Sequence, residues 1–217
     1  MKKRYTLLAS ALLIFITAFS QTGTASATQN THIQDSIKAA LKDSLRIEKL
    51  KAVATFPLFN AGPWSGVLPV EGVDEKPDPK REYKLLFELT YVQKDTSHAN
   101  INDGLVEIAR KMNLHIASGI PLNHIHPIIV VHGQALFSIL SNDAYRAKYK
   151  KDNPNIKLMD EMMKAGIKFI ACGQAMGFLE VNKSQLYPGV KVSVTAQTVL
   201  SNYVTQGYML YVIDDLD

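Results

Sequence analysis

Cysteine is nearly absent from the chain: one residue, Cys172, in 217. A single thiol excludes a disulfide-stapled fold, a multi-cysteine zinc or iron–sulfur site and a dithiol redox cycle within the chain. Tryptophan is equally scarce, with Trp64 alone, and charge of one sign is scarce too. There are 24 Lys and Arg against 20 Asp and Glu, and three of the basic residues fall within the first four positions. Beyond them the balance is about neutral, which removes the electrostatic case for nucleic acid. No apolar run reaches the roughly 20 residues of a membrane span. The longest, LLASALLIFITAF at 7–19, has 13 residues and gives way to Gln21, Thr22 and Gly23. There is no P-loop, G-x-G-x-x-G, G-x-S-x-G or H-E-x-x-H, so no cofactor or resident metal is expected from a motif.

The N-terminus carries a different signal. A charged start (MKKR), the short apolar run and the Ala25-Ser26-Ala27 exit describe a secretory signal peptide over residues 1–27. Removal of 27 residues from 217 leaves 190. The expectation is an exported, secreted or periplasmic protein with no membrane attachment after cleavage.

Hydrophobic residues at 47% and charged residues at 20% suit a globular domain. Residues 28–50 read as a short amphipathic helix, with Ile33, Ile37, Ala40, Leu41 and Leu45 at helical spacing. Residues 56–82 hold Pro57, Gly62, Pro63, Gly66, Pro69, Gly72, Pro77 and Pro79, a density of breakers that predicts an irregular lead-in lying against the domain around Trp64.

From residue 83 onward the pattern is regular. Strands are predicted at 84–92 (KLLFELTYV), 127–132 (PIIVVH), 167–172 (IKFIAC), 190–194 and 208–213. Helices are predicted at 103–114, capped by Asn100 or Asn102, at 155–165, ended by Gly166, and at 196–205, ended by Gly207. Strands alternating with helices imply an α/β domain over 83–217: three layers, α/β/α, with a mainly parallel sheet of about five strands. The continuous runs IIVV and KFIA fit strands covered on both faces.

In such a sheet, ligands bind beyond the carboxyl ends of the strands. Two reactive residues close a strand there, His132 in VVHGQAL and Cys172 in IACGQAM. Each precedes Gly-Gln, so Gly133, Gln134, Gly173 and Gln174 are expected to open helices whose free N–H groups hold an anion. Cys172 is the candidate nucleophile and His132 the candidate proton carrier. The competing reading is a packing cysteine, since free cysteine is among the most buried residue types. The pair His124-x-His126 has metal-ligand character, but it stands at the amino end of its strand, about 20 Å from His132 at roughly 3.3 Å per residue. No third ligand is evident in the sequence, and no metal is expected there. Met159, Met162 and Met163 have the spacing of a helix core face.

The segments YKLLFELT, NDGLVEIARKMNLHIASGIP, IIVVHGQAL, AGIKFIACGQAM and VKVSVTAQTVLSNYVTQGYMLYVI resemble the DsrE/DsrF-like family, in an exported form with a Pro-rich lead-in. The resemblance implies a flavodoxin-like parallel sheet and a homo-oligomer, a trimer or a hexamer. In the sulfur-relay members, a cysteine at the position matching Cys172 carries sulfane sulfur as a persulfide, exchanged with donor and acceptor proteins. His132 matches the strand-end His-Gly of exported relatives. The alternative on the same fold is a small-ligand or protein-binding module with a structural Cys172.

Overall fold

Alternation of β-branched and aliphatic runs with amphipathic stretches resolves into five strands and their crossovers in the computed structural model, which describes residues 27–94 and 96–214. The signal peptide expected at 1–27 lies outside the described residues but for Ala27. The chain divides into two units, the first ending at Arg46 and the second running from Ile47 to Asp217. Helix α1 (Ala27–Val53) belongs mostly to the first and is longer than the sequence pattern suggests. Its Ile37, Leu41 and Leu45 form an exposed stripe. Among the described residues no helix is long and apolar enough to cross a membrane.

The second unit holds β1 (Tyr83–Leu89), α2 (Asp103–Ala117), β2 (Ile125–Val131), α3 (Asn142–Tyr149), α4 (Ile156–Lys164), β3 (Lys168–Cys172), α5 (Gly173–Phe178), β4 (Lys191–Ser193), α6 (Ala196–Thr205) and β5 (Met209–Ile213). The strands pair in the order β4-β3-β2-β1-β5, every pair parallel. The register sets Leu89 beside Val131 and Val131 beside Ala171, so β1, β2 and β3 end nearly level.

That order explains how the layers divide. The chain steps in one direction from β1 to β4, then returns across the whole sheet to reach β5. Crossovers of one hand place the forward helices on one face and the returning helix on the other. On the first face Leu85, Phe87, Leu89, Ile129, Val131, Phe169 and Ala171 meet Leu105, Ile108 and Met112 of α2 and Leu158, Met159 and Met162 of α4. On the second face Leu86, Ile128, Val130, Ile170 and Cys172 meet Ala196, with Val199, Leu200 and Tyr203 of α6 packed against them. The domain is therefore a three-layer α/β/α structure whose second face rests under a single helix. Met159 and Met162 are wholly buried, as the core reading of the methionines requires.

The irregular lead-in is anchored by an asparagine. Buried Asn113 of α2 accepts hydrogen bonds at Oδ1 from the amides of Leu58 and Phe59, both at 2.9 Å. Its Nδ2 donates to the carbonyls of Phe59 at 2.7 Å and Ser65 at 2.8 Å. Phe59 enters the core, whereas Trp64 stays 46% exposed. Phe59 and Asn113 thus hold the segment against α2.

Candidate functional site

The register brings Glu88, His132 and Cys172 to one face. Glu88 lies beside Val130 on β2, and Val130 beside Ile170 on β3. Side chains alternate along each strand, so Glu88, Val130 and Ile170 point toward α6, and the residues two further on, His132 and Cys172, share that direction at the carboxyl rim. His132 Nε2 meets Glu88 Oε1 at 2.8 Å, and the two side chains are 29% and 19% exposed. Glu88 is the residue that sequence reasoning missed. Its signal was present: a lone carboxylate in the otherwise apolar run LLFEL, where burial of an unpaired charge is costly and a partner is required.

The thiol is deeper. Cys172 is 5% exposed and lies among Leu86, Ile128, Val130, Ile170 and Ala196. Its Sγ accepts the backbone N–H of Ala196 at 3.2 Å. Ala196 is the first residue of α6, and Thr195 caps that helix by accepting from Gln197 N. The sulfur therefore sits on the first free amide of a ten-residue helix, where the aligned peptide dipoles favour negative charge.

The expected anion cradle at Gly173 and Gln174 takes a different form. Gln174 N donates to Val194 O at 3.1 Å, so that amide is committed within the fold. A Cβ on Gly173 would lie 2.6 Å from Ser193 O, so glycine is needed there for the close approach of the β4 end. Helix α5 has only six residues. The donor to sulfur comes from α6 across the sheet, and not from the chain that follows Cys172. On the other strand, Gly133 takes a left-handed φ of 61° and opens a 3-10 segment (Gly133–Ile139), with Gly133 and Gln134 both exposed at the rim.

A second cluster lies at the amino end of the sheet. Glu82, just before β1, places Oε1 3.2 Å from His124 Nδ1, and its Oε2 contacts His126 Nε2 directly. The hydrogen bond from His126 holds the Glu82 carboxyl below its ordinary range, with the positive ends of His124, His126 and Lys84 adding to it against some desolvation. Glu82 is thus the ion-pair partner of both histidines of the H-x-H pair, and among the described residues no three such side chains form a group that could hold a metal ion.

A model of the DsrE/DsrF-like family matches residues 84–212. The chain belongs to the DsrE/DsrF-like family. The match spans β1 to β5 nearly end to end and takes in Glu88, His132, Cys172 and Ala196, so every residue of the rim lies inside the family domain. The family is of the sulfur-relay type. Among solved structures, a protein of unknown function, MTH1491 from Methanobacterium thermoautotrophicum, is similar at 17% identity and a TM-score of 0.45, over 60% of this chain and 99% of that one. The comparison with curated proteins gave no match.

Proposed function

We propose that this family member carries sulfane sulfur on Cys172. The observation that carries the reading is the hydrogen bond from Ala196 N to Cys172 Sγ at the start of α6. A thiolate placed there attacks the outer sulfur of a donor persulfide. The new S–S bond leaves Cys172 as the persulfide and releases the donor as its thiolate. An acceptor thiolate then takes the outer sulfur and restores the Cys172 thiolate. Electrons balance within the exchange, and no external oxidant enters.

In this reading Glu88 is a positioning residue. By binding Nε2 it orients the His132 ring and leaves Nδ1 to take the thiol proton or return it. The exported setting expected from residues 1–27 would place donor and acceptor outside the cytoplasm. The test is intact-mass analysis of the chain after incubation with polysulfide. A gain of about 32 Da, for one sulfur, is expected on the wild type and absent from Cys172→Ser. Failure of the native chain to gain sulfur, under conditions where the unfolded chain does, overturns the reading.

The burial of Cys172 favours a second reading, an assembly or binding module in which the thiol only packs. Leu210 and Val212 of the edge strand β5 face the α6 side and stay exposed, as does Val204 on α6. A homo-oligomer, whether trimer or hexamer, would cover them. Under this reading Cys172→Ala leaves the sedimentation coefficient unchanged, whereas Val212→Glu lowers it.

A further inference from the structure

We propose that the cleft at the amino ends of β2 and β3 binds a small organic anion, a carboxylate carried on a flat apolar body. Strand register places the cleft. Strand β2 begins at Ile125, whereas β3 begins at Lys168, which pairs with Ile128. The first residues of β2 therefore run past the start of β3 and have no strand beside them on that flank. A cleft of about 610 Å3 opens at this step, bounded by Asn123, His126, Pro127, Ile128, Lys168 and Tyr208 among others. That volume lies within the roughly 300–1,000 Å3 of small-molecule sites.

The walls are apolar and held in place. Pro127 and Ile128 are buried positions of β2. Tyr208 closes the side toward α6, and its ring is fixed by two neighbours. Tyr203 of α6 meets it edge-on, with 5.0 Å between centroids. Lys84 Nζ lies 5.8 Å from its centroid and donates to the carbonyl of Gln206 at 3.0 Å. A wall already in position lowers the ordering cost of receiving a flat ligand.

Charge selects the occupant. Lys168 is exposed, and among the described residues it pairs with no carboxylate. Alternation along β3 sends it to the same side as Ile170, where Lys191 of β4 stands beside that isoleucine. His126 lines the cleft too, but its Nε2 is met by Glu82. No aspartate or glutamate lines the cleft itself. Lys168 is thus the cation left to answer a ligand. A neutral apolar molecule would leave that ammonium unanswered, and an inorganic anion would leave the apolar walls unused. An organic carboxylate satisfies both. The cleft is at the opposite end of the sheet from Cys172, so it stands independently of the sulfur reading.

The experiment is calorimetric titration of the full chain with naphthoate, and with naphthylmethanol as its neutral counterpart. Saturable binding of one naphthoate per chain is expected. Both the neutral counterpart and the Lys168→Gln variant should bind about fivefold more weakly, the upper range for one exposed charge pair. Cys172→Ser should bind as the wild type does, and inorganic phosphate should not displace the probe. Isoleucine methyl resonances of the wild type give a readout that needs no variant to fold. Those of Ile125 and Ile128 should shift on titration, and those of Ile139 and Ile213 should not. Absence of saturable binding, equal affinity for the neutral counterpart, unchanged affinity in Lys168→Gln, loss of binding in Cys172→Ser, displacement by phosphate, or shifts confined to Ile139 and Ile213 overturns the site.

Discussion

Three substitutions separate the roles of single side chains: one at the rim, one beside it and one on α2 beneath the lead-in. Glu88→Gln keeps the shape of the Glu88–His132 contact but removes its charge. If the pair moves the thiol proton, sulfur transfer to an acceptor thiol should slow by roughly a hundredfold, the lower range for general acid–base assistance. The melting temperature should change little, so transfer kinetics and thermal melts together isolate the effect. Gly173→Ala acts through sterics alone. Its Cβ would meet the Ser193 carbonyl at 2.6 Å, and backbone cannot rotate away as a side chain could. The expected loss is about 1–3 kcal/mol in chemical denaturation, as for other forced overpacking. Asn113→Ala leaves two amides and two carbonyls without their partners. A cost of about 3 kcal/mol is expected, together with faster proteolytic cutting within 56–66.

Elements carry the electrostatics. On α2, Glu107 pairs with Arg110 Nε at 2.7 Å and Lys111 Nζ at 3.0 Å. Burial pushes the Glu107 carboxyl up, but the hydrogen bonds from Arg110 and Lys111 and their charges outweigh it, and the net direction is down. A carboxyl whose folded value is depressed stabilises the fold above its unfolded value, and that contribution is lost as pH falls through the folded value. Glu107→Gln should therefore lose stability at neutral pH and match the wild type in strong acid. The difference should stay below about 1 kcal/mol, because Arg110 is partly solvated. Urea denaturation at a series of pH values measures it.

The same elements mark where sequence patterning suffices. Helix α6 runs over the residues its periodicity indicates, and the strand ends fall within a few residues of their apolar runs. Helix α3 was not legible, because NDAYRAKY buries only Tyr145 and so carries no apolar stripe. Its start is set by Ser141, whose hydroxyl accepts from Ala144 N, and its surroundings by Asn153 and Asn155, which tie neighbouring loops together from buried positions. Buried asparagines satisfy backbone groups in irregular segments, and a hydropathy pattern counts them as surface.

At the scale of the whole molecule, topology fixes which face is open. One returning helix covers the second face of the sheet, and the edge strand β5 keeps apolar side chains in solvent. Alternation of strands and helices, the family motifs and the two strand-end residues His132 and Cys172 were all determined by the sequence, because period and local turn chemistry act over a few residues. Only the tertiary structure decided that Glu88 holds His132, that Ala196 donates to the sulfur from 24 residues away, and that Glu82 lies between His124 and His126. Those contacts depend on strand order and register, which arise from how the whole chain buries its apolar faces and leave no periodic trace along it.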